Sequence, residues 1–227
     1  MTTDRVNGGH TRFASVVLDV DSTLSSTEGI EWLAARRGAE VSRRVTEATQ
    51  EAMHGEIALQ DVYAKRLDLI RPTHRDIEML GREYIETVLP GARDALSAIR
   101  GAGVRIVIVS GGLREAIIPL TRSLNVPDSD LHAVSLSFTE AGDYAGFDIR
   151  SPLTRNGGKP AVVRSLHLPR PILAIGDGIT DAELKTDLPA AADAFAAFTG
   201  VAARDPVIRV SDYVLRCFDQ LPTVVLS

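Results

Sequence analysis

The sequence predicts an α/β protein, a doubly wound parallel sheet with helices on both faces and an all-helical insert after its first core strand. Apolar, β-branched runs at 14–18, 104–109 and 172–175 have the length and composition of buried parallel strands. Each ends in a polar, glycine-containing turn followed by a helical pattern, which is a βαβ rhythm. Between the first two runs, roughly 28–89, the periodicity is helical only.

Taken in order, residues 1–12 read as a loose tail, 13–27 and 90–227 as the core, and 28–89 as a helical cap. Ile30, Leu33 and Ala34, then Val41, Val45 and Ala48, then Leu59, Val62, Tyr63, Leu67 and Ile70, then Ile77, Leu80, Tyr84 and Ile85 recur at three- and four-residue spacings. A helical insert there sits over the end of the first strand and can act as a lid. Pro90-Gly91 marks the return to the core, with helices expected over 92–100, from about 113 to 124 and over 161–166. Weaker strands are expected at 194–198 and 212–216, and the segments 132–138 and 144–149 read as the arms of a hairpin.

Composition narrows the function. The 227 residues are 44% hydrophobic and 24% charged, enough for one large domain or a core with a smaller insert. No apolar run reaches the roughly 18 residues of a membrane span, and the first dozen residues are too polar for a signal peptide. A net charge of −5 without a basic cluster excludes a nucleic-acid surface and points to a small-molecule partner. The single cysteine, Cys217, cannot form an internal disulfide; it predicts a buried thiol in a reducing cytoplasm. The five histidines lack metal-site spacing, and a homodimer is compatible with everything above.

Four polar motifs carry chemistry. In Asp19-Val20-Asp21-Ser22-Thr23, period-two alternation puts both carboxylates on one side of a strand end. Acids that close repel, so the pair implies a bound cation or one protonated member. One carboxylate can attack phosphorus while holding a metal, and the other can protonate the leaving oxygen. An Asp-rich turn capping the next segment is the alternative. Ser110-Gly111-Gly112 offers a hydroxyl and free N–H groups at a helix start, a phosphate cradle or a simple N-cap. Lys159 stands at another helix start, where the dipole disfavours a cation; it invites an anion or carboxylates unless it is a solvated surface lysine. Gly176-Asp177-Gly178-Ile179-Thr180-Asp181 fails as a dinucleotide fingerprint, because Asp181 replaces the third glycine and Asp177 would repel a pyrophosphate. Asp177 suits a divalent cation such as Mg²⁺. Together the motifs supply a nucleophile, a proton donor, a metal site, a cradle and a neutralising lysine, the set that phosphoryl transfer requires.

On these motifs the chain resembles the haloacid dehalogenase superfamily over about residues 15–221. The resemblance implies a HAD-like Rossmannoid core with a small cap. It also implies a Mg²⁺-dependent phosphatase that hydrolyses O-phospho-L-serine to L-serine and phosphate, the last step of serine biosynthesis. Asp19 is then the nucleophile and Asp21 the acid and base. Mg²⁺ is held by Asp19, the backbone carbonyl of Asp21 and Asp177. Lys159, Ser110 and Gly111 neutralise the phosphate, Asp181 orients Lys159, and Thr180, where many bacterial members carry asparagine, contacts the phosphate. In the insert Glu28 takes the substrate ammonium, Arg66 its carboxylate and Met53 forms an apolar wall. Leu59 departs from the family's usual phenylalanine, and a smaller side chain there widens the pocket. The rival readings are a hydrolase of another small phosphomonoester, a phosphotransferase or mutase using the same aspartyl-phosphate, and a non-catalytic binding protein.

Overall fold

The computed structural model describes residues 11–53 and 59–227. In chain order it runs β1 (Ser15–Leu18), α1 (Gly29–Arg36), α2 (Ala39–Met53), α3 (Leu59–Ile70), α4 (His74–Glu86), α5 (Ala92–Gly101), β2 (Arg105–Leu113), α6 (Arg114–Ser123), β3 (Leu131–Val134), β4 (Leu136–Phe138) and β5 (Tyr144–Phe147). It continues with α7 (Gly158–Ser165), β6 (Ile172–Gly176), α8 (Ile179–Thr186), β7 (Ala194–Phe198), α9 (Asp205–Ile208), β8 (Tyr213–Leu215) and α10 (Leu221–Leu226).

β1, β6 and β7 are buried along their whole length because their side chains are apolar on both faces of the sheet. Full burial of each Val, Leu or Ile contributes about 1.5–3 kcal/mol, which fixes these strands firmly enough to hold charges at their ends. The sheet is six-stranded in the order β3-β2-β1-β6-β7-β8, and every pair in it is parallel. Leu18 at the end of β1 pairs with Ile108 of β2 and Ile175 of β6. Strand order reverses on either side of β1, which opens a crevice at the carboxyl ends of β1 and β6, where such sheets bind ligands.

The chain leaves and re-enters this core through neighbouring segments. Ser25 bridges Val88, Ser26 N–H donates to Thr87 O at 3.1 Å, and Leu89 N–H donates to Leu24 O at 2.9 Å. Between them lie α1–α4. Helix α4 starts on a capping box, with Thr73 accepting from Asp76 N–H and Asp76 accepting from Thr73 N–H. Gly81 lets this helix pack closely on α6, since a Cβ there would lie 3.2 Å from Ala116 O.

The structure revises several expectations. The segment 132–138 divides: β3 joins the main sheet beside β2, and only β4 pairs antiparallel with β5. This small hairpin leans on the insert, with the Phe147 ring 5.3 Å from that of Tyr63 and Phe138 5.4 Å from His74. β2 extends through Ser110-Gly111-Gly112, with a register shift against β3 between Val109 and Leu113, so the motif ends a strand and does not form a free turn. α7 starts at Gly158, ahead of the expected 161, because Gly157 takes the left-handed conformation (φ 69) that turns the chain straight into a helix. Cys217 is exposed, not buried: β8 ends at Leu215 on the sheet's edge and Cys217 opens the turn that follows. Of the expected tail, residues 1–10 lie outside the described residues, while Arg12 N–H donates to Val225 O at 2.9 Å.

Candidate active site

Three strand ends and the start of α7 bring the four motifs together around one cleft of about 1380 Å³, lined by Asp19, Asp21, Glu28, Arg66, Ser110, Gly111, Lys159, Asp177, Thr180 and Asp181 among others. Asp19 follows β1 directly and continues its ladder, with its N–H donating to Ile175 O at 3.1 Å. Past Val20 the chain turns sharply, three consecutive N–H groups from Thr23 to Ser25 converging on Val20 O. Ser22 takes a left-handed backbone (φ 51) in this turn.

Lys159 is the buried centre. Its ammonium lies 2.6 Å from Asp181 Oδ1 and 2.9 Å from Asp19 Oδ1, and all three residues are less than a tenth exposed. Burial works against its charge, but Asp181 and Asp19 outweigh burial and raise its pKa. Burial is also the largest influence on Asp181, lifting its carboxyl above the ordinary range while Lys159 pulls it back. Asp181 is fixed by two donors, Lys159 Nζ on Oδ1 and Gly178 N–H on Oδ2 at 3.0 Å. Gly176 makes this possible, since a Cβ there would stand 2.1 Å from Asp181 Cγ.

Asp21 has a different environment. Burial first, then the charges of Glu28 and Asp19, raise its pKa from 3.8 to about 8, against the opposing hydrogen bonds of Tyr84 and Gly29. It is thus a carboxyl that is protonated near neutral pH beside one, Asp19, that faces an ammonium, the division of labour a general acid and a nucleophile need. Ser110 is 1% exposed and its Oγ accepts from Gly112 N–H at 3.0 Å. The Gly111 carbonyl accepts from the Tyr63 hydroxyl at 3.0 Å, tying the insert to the cradle.

For a metal, the donor set is all oxygen. Ligand atoms of Asp19, Asp177 and Asp181 lie within 4.8 Å of one another, and Asp19 and Asp177 are both buried. Because both Asp181 oxygens already accept hydrogen bonds, Asp19 and Asp177 are the carboxylates left for a divalent ion. The side chains present fit such an ion.

In the insert, Glu28 accepts from Ser22 Oγ at 2.6 Å and stands 3.7 Å from Arg204; burial, the leading cause, raises its pKa. Arg66 ion-pairs with Glu31 at 2.6 Å, and among the described residues its buried Nε has no hydrogen-bond partner. Met53 ends α2, and its side chain, like that of Leu59, lies outside the described residues. Sequence reasoning missed three residues that line the cleft, Arg204, Tyr63 and Glu31, and Tyr84 buried behind it. Arg204 donates to the Asp177 carboxylate and, at 3.2 Å, to the Asp177 carbonyl. Nothing in Val201-Ala202-Ala203-Arg204 signals this, because the loop reaches the site only through the sheet topology. Tyr63 and Tyr84 read as apolar-face residues, so their polar ends were invisible in the pattern, and no motif singled out Glu31.

A buried lysine bridging two carboxylates at the switch point of a parallel sheet, beside a protonated acid and a serine-glycine cradle, defines a site for phosphate-ester hydrolysis. The chain belongs to the haloacid dehalogenase-like hydrolases, whose family model matches residues 16–184. It is 36% identical over 197 residues to the phosphoserine phosphatase of Mus musculus, covering 85% of this chain and 84% of that one. To the chloroplastic phosphoserine phosphatase of Arabidopsis thaliana it is 33% identical over 214 residues, covering 91% and 70%. The crystal structure of a phosphoserine phosphohydrolase-like protein from Francisella tularensis subsp. tularensis SCHU S4 superposes with a TM-score of 0.81 at 26% identity, covering 92% of this chain and 98% of that one. Among the described residues no helix is long and apolar enough to cross a membrane.

Proposed function

We propose that this enzyme hydrolyses O-phospho-L-serine to L-serine and phosphate through an aspartyl-phosphate on Asp19, with Mg²⁺ as its metal. The observation that carries the reading is the Lys159 ammonium held 2.9 Å from Asp19 and 2.6 Å from Asp181, within one cleft with Asp21, Ser110 and Asp177. A carboxylate oxygen of Asp19 forms the new bond to phosphorus as the bond to the serine oxygen breaks. Asp21 gives its proton to that departing oxygen. The resulting Asp21 carboxylate then takes a proton from water, whose oxygen attacks phosphorus, releasing phosphate and restoring Asp19. Lys159, Ser110 Oγ and the Gly111 N–H offset the charge on the transferring oxygens, and Thr180 adds a further contact. Asp181 keeps Lys159 in place. Bound Mg²⁺, held by Asp19, the Asp21 carbonyl and Asp177, supplies charge neutralisation for the dianionic ester.

Residues 28–89 serve as the cap in this reading, and the core is 13–27 with 90–227. Glu28 receives the substrate ammonium. Arg66 exchanges Glu31 for the substrate carboxylate, offering its buried Nε as a further donor. Met53 supplies an apolar wall, with Leu59 leaving room beside it. A reducing cytoplasm suits the single free thiol of Cys217. The test is a kinetic screen of small phosphomonoesters with Mg²⁺, together with Asp19→Asn. Highest kcat/KM for O-phospho-L-serine, with no turnover by Asp19→Asn, is expected. Near-parent activity in that variant would remove the covalent route, and a preference for another ester would remove the substrate.

A further inference from the structure

Tyr84 is the one insert side chain, among the described residues, that donates a hydrogen bond to Asp21. It is fully buried on the inner face of α4, and its hydroxyl donates to Asp21 Oδ1 at 2.6 Å. The same oxygen accepts Gly29 N–H at 3.0 Å. Oδ2 has a different outlook: it lies over Gly112, where a Cβ would stand 3.0 Å from it and 3.2 Å from Ser110 Oγ. One oxygen of the carboxyl is therefore turned to two protein donors and the other to the phosphate cradle.

We propose that Tyr84 is a positioning residue for the acid–base step: by donating to Oδ1 together with Gly29 N–H, it reserves Oδ2 as the oxygen that gives and later receives the proton. The inference rests on the reading of Asp21 as the acid and base. A carboxyl proton can sit on either oxygen, but an oxygen that accepts two donors cannot also point a proton at them. Oδ1 is thus the carbonyl-like member in the acid. When Asp21 has lost its proton, the same two donors face the charge on Oδ1 without rearranging. Gly29 is part of the device, because a Cβ there would fall 2.1 Å from the Tyr84 hydroxyl. The bare position admits the tyrosine.

A buried tyrosine that merely parks its hydroxyl on the nearest acceptor would look the same in a static structure, so the test uses the leaving group. Tyr84→Phe removes the donor and keeps the ring. With phosphoserine, whose alkoxide leaving group needs protonation, kcat should fall roughly 10- to 100-fold while KM shifts less than about threefold. Single-turnover release of p-nitrophenolate from p-nitrophenyl phosphate, a leaving group that departs unprotonated, should fall less than about threefold. Gly29→Ala, whose methyl takes the hydroxyl's place, should give the same selective loss and add little when combined with Tyr84→Phe. It also serves if Tyr84→Phe fails to fold. Equal losses on both substrates, or an unchanged kcat for phosphoserine, would overturn the proposal. Asp21→Asn separates the two readings. If that variant still turns over phosphoserine at near the parent rate, the acid–base assignment fails; if it is inactive while Tyr84→Phe is unimpaired, only the role of Tyr84 fails.

Discussion

Replacing Asp21 by Asn exchanges activity for stability. Burial, and behind it the charges of Glu28 and Asp19, lifts the Asp21 pKa from 3.8 to about 8. A group whose pKa rises on folding contributes stability that is full below its unfolded value and lost as pH climbs through the folded one. The metal-free parent therefore weakens between about pH 4 and pH 8. The amide is an isostere of the neutral acid, can still accept from Tyr84 and Gly29 at its oxygen, and loses nothing over that range. About four pKa units at ~1.4 kcal/mol each set a ceiling of about 6 kcal/mol. Asp21 borders an open cleft, and solvent at its rim lowers the expectation to about 2–3 kcal/mol. For a chain of this size that is a melting point about 4–12 °C above the parent's at pH 8, closing to no difference at pH 4. Calorimetry in EDTA at the two pH values measures it. A gap of the same size at both, or a variant that melts lower at pH 8, would refute the argument that burial strains this carboxylate.

Three further substitutions probe other parts of the cleft. Arg66→Ala should lower kcat/KM for phosphoserine roughly 10- to 1000-fold but affect phosphoethanolamine, which has no carboxylate, far less; equal losses would mean that Arg66 is not the carboxylate anchor. Gly176→Ala should cost about 1–3 kcal/mol in thermal melts, since its Cβ would stand 2.1 Å from Asp181 Cγ, and an unchanged melting point would show that the loop relaxes freely. Arg204→Met should tighten Mg²⁺ binding about 2- to 5-fold by titration calorimetry, because the guanidinium no longer competes for Asp177; unchanged or weaker binding would disprove competition.

What the sequence disclosed follows from where its signals are local. β1, β6 and β7 announce themselves by composition, because strands buried on both faces need apolar residues throughout. The motif residues were legible because Asp19, Ser110 and Asp177 each stand at or just beyond the end of such a run. Arg204 was not, since its approach to Asp177 depends on the placement of β7 and the loop after it, a non-local fact. The tyrosines failed for a different reason: Tyr63 and Tyr84 satisfy a helical apolar pattern with their rings, and the pattern carries no trace of where a hydroxyl ends. The split of 132–138 between two sheets was hidden too, because β3 and β4 are separated by Ser135 alone and read as one run. Its place at a helix start left Lys159 open between a solvated lysine and one with carboxylate partners; Asp181, more than twenty residues away, came into view only through the family resemblance.

The side-by-side passage of the chain at Ser25 and Val88 has a consequence for how this scaffold can be varied. With Ser26 bonded to Thr87 and Leu24 to Leu89, the two ends of the inserted segment are already stitched together by the core. To the sheet, everything between them is a loop whose closure is settled, and doubling the length of such a loop adds only about 0.6 kcal/mol of entropy. Segments of other lengths and linings can therefore be grafted between those two rungs while Asp19 and Asp177 at the strand ends and Lys159 at the start of α7 keep their places, provided that Gly29 and Tyr84 stay beside Asp21.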